Sequence, residues 1–403
     1  MRTIQWIAWL VLGTAVGCGL SPQGSVGGAL GGEERADQEG ELWSPMEWMP
    51  APARKRCELP DYEAGRPVAA TPGAWTFVPF HDAHCIDGST TGMAINPHPD
   101  GGTKNLMIFM QGGGACFEPV SCRLSQGVHP FGPSDLEDAI LTKDGCGLWD
   151  RDDRDNPLRE FHFVIIPYCT GDVHAGSVTT DEYNFSGYSN MSAYLKRIVA
   201  TFPDVDNVLL AGSSAGGIGA VLNYEKVQAA FRCTPVHLLS DSGAIFGDAY
   251  VKPCLQQQWR TMWGLDSRLP ADCQECFQPE GGGLSNYLPY LARTYPERRF
   301  ALLLSDADLI LKAFFGYGYL SSCSLPWLMP QRQYERGYED LVGRMSALDN
   351  FRVFVRSGDD HPLLVVPPAD TESGGVGLHH WLEDFWLGRS TWEHVWPQKR
   401  WWD

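Results

Sequence analysis

The chain has 403 residues, enough for one large domain with a full hydrophobic core. Its 43% hydrophobic and 20% charged residues exclude a disordered chain. A net charge of −18 leaves no global field to draw in nucleic acid or an anionic membrane, and no basic run supplies one locally.

Residues 1–17 set Arg2 ahead of an apolar run of signal-peptide length, too short for a membrane span. The run ends in Ala-Val-Gly-Cys at 15–18, which reads as a lipoprotein cleavage box with Cys18 as the lipidated N-terminus. The expected location is a bacterial outer membrane reached through that lipid alone, or the periplasm or exterior if the leader is a plain secretory one. Residues 18–56 are rich in Gly, Ser, Pro and Glu and read as a flexible tether. The folded domain is expected over 57–403. Twelve cysteines agree with export. With Cys18 set aside their number is odd, which leaves at least one thiol unpaired. Cys116 and Cys122 are near enough in sequence to close a small loop. Cys273-Gln-Glu-Cys276 reads as a structural disulfide, since no second pair at zinc spacing follows it.

Strands are predicted at 105–110, 161–166, 207–212, 235–240, 300–305 and 351–356. All but the last are near-continuous apolar runs, as in strands covered on both faces of a parallel sheet. Helical periodicity follows residues 190 and 216 and resumes at 377. The alternation predicts an α/β fold with a central, mostly parallel sheet flanked by helices. Residues 244–298 break the rhythm and are expected to form an insertion, a candidate lid.

Gly212-Ser213-Ser214-Ala215-Gly216 lies between an apolar strand and a helix. That is the context of a nucleophile elbow, where glycines admit a turn too sharp for side chains and push Ser214 up at the strand end. A serine needs a base, and the base an orienting acid. In chain order the strand 300–305 delivers Asp306, with Asp308 as its substitute, and the strand 351–356 delivers His361. Helix capping is the competing role for Asp306. His379 and His380 sit in a helical pattern and read as packing or surface residues. The glycines of "MQGGGACF" follow the strand 105–110, so the amides of Gly113 and Gly114, with that of Ala215, are expected to form an oxyanion hole. No Gly-Lys-Ser/Thr ending supports a phosphate loop.

These segments carry a resemblance. "LMIFMQGGGACF", "VIIPYCTGDVHAGS", "LLAGSSAGGIGAVLN", "LLSDSGAIFGD", "LLLSDADLI" and "FVRSGDDH" resemble, in order, the pectin acetylesterase family, which includes Notum. The resemblance implies an α/β-hydrolase-like fold and a Ser-Asp-His triad, carried onto Ser214, Asp306 and His361. Gln111 stands where plant members and Notum have glutamate, and Gly114 where Notum has tryptophan, so the chain resembles bacterial members more closely.

Other groupings receive plainer readings. His81 and His84 form a weak His-x-x-His pair best read as surface histidines, and the Asp-rich 149–157 reads as a solvated loop, so no metal site is assigned. Asn184 and Asn190 match glycosylation sequons. Asp241 and Asp172 are candidates for the substrate pocket, with a role in satisfying backbone groups equally open. Together these readings describe an exported, monomeric serine carboxylic-ester hydrolase that needs no cofactor and deacetylates a polysaccharide. The rivals are a lipid or small-acyl carboxylesterase, and a non-catalytic cell-surface binding protein that kept the fold.

Overall fold

Two strands without a sequence expectation open the sheet, β1 (Thr76–His84) and β2 (Thr90–Asn96). The six predicted strands follow within a residue of their expected limits: β3 (Asn105–Met110), β4 (His162–Ile166), β5 (Asn207–Ser213), β6 (Val236–Asp241), β7 (Phe300–Ser305) and β8 (Phe351–Arg356). The computed structural model describes residues 65–101, 103–136, 146–319, 323 and 327–398. The expected leader, Cys18, the tether and Cys57 lie outside these residues.

The eight strands form one sheet in the order β1-β2-β4-β3-β5-β6-β7-β8. The pairs β1–β2 and β2–β4 are antiparallel and the rest parallel. Alternation along each strand sends side chains to opposite faces. Leu106, Ile108, Met110, Val208 and Leu210 enter one core, and Met107, Phe109, Leu209 and Ala211 enter the other. This is why the central strands read as unbroken apolar runs. Each fully buried aliphatic or aromatic side chain contributes about 2 kcal/mol on leaving water. The edge strand β8 keeps Arg352 and Arg356 only half-buried, which explains its alternating sequence.

The helices are α1 (Pro119–Leu124), α2 (Gly187–Thr201), α3 (Ala215–Phe231), α4 (Pro253–Trp263), α5 (Tyr287–Thr294), α6 (Leu309–Gly316), α7 (Gln331–Met345) and α8 (Leu378–Leu387). On α2, buried Met191, Tyr194, Leu195 and Ile198 recur at the spacing of one helix face. Helix α3 is buried nearly all round, as expected of a helix laid against the middle of the sheet.

Residues 244–298 connect β6 to β7 and contribute α4 and α5. They are built into the larger core through Trp259 and Trp263, each 1% exposed. Trp263 donates its indole N–H to Cys116 O at 2.8 Å, and Phe117 meets both indoles edge-on. This segment therefore braces the glycine-rich loop after β3. His379 and His380 lie on α8 as expected, partly buried and exposed respectively.

Candidate active site

Strand β5 ends at Ser213 and α3 starts at Ala215. Ser214 turns the chain between them, with φ 58° and ψ −121°. A non-glycine residue in that region carries about 1–3 kcal/mol of strain, so neighbours must hold it. They do: Ser214 N donates to Asp241 O at 2.8 Å, and Ser214 O accepts from Ile218 N at 3.1 Å. A Cβ at Gly212 would overlap Gly216 O, and one at Gly216 would overlap Met110 O. The glycines thus do the steric work the sequence suggested. Ser213 is fully buried and donates to Asp241, whereas Ser214 is partly exposed.

His361 Nε2 lies 2.7 Å from Ser214 Oγ, and its Nδ1 lies 2.7 Å from Asp308 Oδ2. A carboxylate can only accept, so Nδ1 carries the proton and Nε2 is left to accept from the serine hydroxyl. The acid facing the histidine is therefore Asp308, which corrects the expectation for Asp306. The reason lies at the end of β7. Asp306 follows the strand directly and stays on the pairing side toward β8: its N donates to Arg356 O, and its Oδ1 accepts from Gly358 N at 2.9 Å. Two residues later the chain turns into α6, and Asp308 caps that helix by accepting Leu311 N at 2.8 Å on Oδ1. Its second oxygen is left for His361. Both aspartates are fully buried.

The glycine loop after β3 is fixed by its carbonyls. Gly113 O accepts from Gly127 N at 2.8 Å and from Ser125 Oγ at 3.0 Å. The C=O and N–H of one trans peptide point in opposite directions, so these bonds aim the Gly114 N–H the other way. Gly113 and Gly114 take φ values of 153° and 80°, and a Cβ at Gly113 would meet the Tyr168 ring at 2.9 Å. Ala215, the third expected amide, is the first residue of α3, where no intrahelical acceptor exists for its N–H.

The segment 168–176 buttresses this loop. His174 Nε2 donates to Gln111 O at 2.8 Å. Burial pushes this imidazole down to about 4, so it is neutral near pH 7, and the bond to a carbonyl fixes the proton on Nε2. Val173 N donates to Tyr168 Oη, and Cys116 N to Gly171 O. Sequence reading did not find His174; its only signal was its place in the "PYCTGDVHAG" block.

Asp172 and Asp241, read as candidate pocket residues, are both fully buried and structural in their contacts. Asp172 accepts from Thr170 Oγ1, Gly176 N and Gly187 N. Asp241 accepts from Ser213 Oγ, Leu363 N and Leu364 N. Burial raises both carboxyls to about 6 against those hydrogen bonds. The sequon residues are also engaged: Asn190 binds both backbone groups of His84, and Asn184 donates to Cys85 O.

Disulfides join Cys85 to Cys169, Cys116 to Cys122, Cys254 to Cys323 and Cys273 to Cys276. The second closes the small loop expected from sequence, and the fourth gives the Cys-x-x-Cys a structural role. Such bonds fit an exported protein. Among the described residues no helix is long and apolar enough to cross a membrane, and no group of three or more His, Cys, Asp or Glu is placed to hold a metal ion.

The family model for pectinacetylesterase matches residues 73–293, more than half of the chain. The chain belongs to the pectinacetylesterase family. It is similar to a palmitoleoyl-protein carboxylesterase, notum2, of Xenopus laevis: 32% identity over 152 residues, covering 36% of this chain and 30% of the relative. It is 29% identical to human NOTUM over 169 residues, covering 40% and 34%. Against Drosophila melanogaster NOTUM the figures are 27% over 220 residues, covering 49% and 32%. The chain spans about a third of the length of these relatives. The pectinacetylesterase match contains the glycine loop and the elbow, whereas Asp308 and His361 lie beyond its end.

Proposed function

We propose that this protein is a serine carboxylic-ester hydrolase that acts through an acyl-enzyme. The observation that carries the reading is the unbroken chain of two 2.7 Å contacts from Ser214 through His361 to Asp308. Ser214 Oγ attacks the ester carbonyl and its proton passes to His361 Nε2. Asp308 holds the tautomer and stabilises the imidazolium. The amides of Gly113, Gly114 and Ala215 receive the oxyanion. The imidazolium returns its proton to the departing alcohol, and water then releases the acid by the same steps in reverse order.

The substrate we favour is an acetylated polysaccharide, on the strength of the family. The net charge of −18 and the exposed Asp359 and Asp360 just ahead of His361 favour a neutral polymer over a polyuronate. A long-chain acyl ester is the second reading, because the relatives bear the name palmitoleoyl-protein carboxylesterase. The leader, with Cys18 as a lipid anchor and residues 18–56 as a tether, would place the enzyme at a bacterial membrane surface.

A fluorophosphonate probe should label Ser214 and not Ser213, and Ser214→Ala should lower turnover by about 10⁶-fold. The panel should be p-nitrophenyl esters of rising chain length beside acetylated pectin and xylan. Highest turnover on acetyl esters supports the first substrate, and a rise with chain length supports the second. A folded protein that ignores the probe and cleaves no ester would overturn the enzyme reading.

A further inference from the structure

Asp241 touches both halves of the site. Its main-chain oxygen accepts the Ser214 amide at 2.8 Å. Its carboxylate accepts from Ser213 Oγ at 3.0 Å and Leu364 N at 2.8 Å on Oδ2, and from Leu363 N at 3.1 Å and Ser242 Oγ at 3.3 Å on Oδ1. Leu363 and Leu364 follow His361 by two and three residues. One side chain thus joins the turn that carries the serine to the loop that carries the histidine.

The sheet makes this possible. Register places Ser213 beside Asp241 on the neighbouring parallel strand, so the side chain stands at the strand ends where the histidine loop crosses. Each carboxylate oxygen receives a backbone N–H from that loop. An asparagine would turn an NH₂ toward one of those donors, so both can be satisfied only by a carboxylate. A buried carboxylate served only by neutral dipoles is expensive to keep, and a protein gains little stability from it.

We propose that Asp241 is a positioning residue: its carboxylate fixes His361 against Ser214 and adds a second negative charge that favours the imidazolium formed as the serine attacks. The inference rests on the triad reading above. The charged group acting on Asp241 is His361. Asp308 bonds that ring directly, and Asp306 faces Gly358.

The test compares full-length wild type, Asp241→Asn, Ser213→Ala and Ser214→Ala on p-nitrophenyl acetate across pH 4.5–9, with near-UV circular dichroism as a check on folding. Asp241→Asn should lower kcat by about 10- to 100-fold, the scale of a misplaced catalytic group, with KM little changed. Its acid limb in kcat/KM should move to lower pH, because the imidazolium has lost a stabilising charge. Ser213→Ala removes a donor but leaves the carboxylate, which then takes its proton at higher pH, so its acid limb should move up. Opposite shifts support the proposal, and a purely structural role would move neither limb. Should Asp241→Asn fail to fold, the Ser213→Ala limb decides alone. Unmoved limbs alongside an inactive Ser214→Ala overturn this role for Asp241 and leave the triad standing. An active Ser214→Ala overturns the triad itself.

Discussion

Asp308→Asn separates the two aspartates after β7 with the smallest change of shape. Asparagine can keep the cap, because its Oδ1 still accepts the Leu311 amide now 2.8 Å away. Its NH₂ then occupies the place of Oδ2, 2.7 Å from His361 Nδ1. A donor there requires Nδ1 to be the lone-pair nitrogen, which puts the ring proton on Nε2. That nitrogen faces Ser214 Oγ and can no longer take its proton. The corresponding change in serine proteases lowers kcat by about 10⁴, or roughly 5.4 kcal/mol of transition-state stabilisation. Asp306→Asn should behave otherwise. Its Oδ1 can still accept Gly358 N, and its side chain makes no contact with His361 among the described hydrogen bonds, so a loss within about tenfold is expected. The assay is steady-state hydrolysis of p-nitrophenyl acetate by both variants, each checked by thermal melt. A larger loss in Asp306→Asn than in Asp308→Asn would refute the assignment.

Three further outcomes follow from other parts of the structure. His174 is held near 4 when folded against an ordinary 6.5, so the unfolded chain takes a proton the native state refuses as pH falls through that window. Stability is therefore lost on acidification, by about 2 kcal/mol between pH 7 and pH 5 from this group. His174→Gln keeps an N–H for Gln111 O and removes that loss, so the stability gap between wild type and variant in urea should shrink by that amount at pH 5; a gap independent of pH refutes it. Gly216→Ala should destabilise by about 2–3 kcal/mol, read as a lower urea midpoint, because its methyl has only the Met110 and Gln111 carbonyls to displace. Cys18→Ser should release the protein from the membrane fraction, and persistence there would end the lipoprotein reading.

The sequence by itself determined the layers and the nucleophile. Strands buried on both faces must be apolar throughout, and a strand-to-helix turn this sharp must be lined with small residues, so both left a local mark in "NVLLAGSSAGG". Strands β1 and β2 left a weaker one, because the edge strand exposes alternate residues such as Pro79 and His81 and β2 contains Gly92. The polar helix α7 had little apolar surface to announce it. The choice between Asp306 and Asp308 belonged to tertiary structure alone. Both are acids just past one strand, and what separates them is whether the chain is still pairing with β8 or has turned into α6. Asp241 is the same kind of case. Its meaning depends on Leu363 and Leu364, more than a hundred residues away, whose amides reach it only once β6 lies beside β5 and the histidine loop folds across the strand ends.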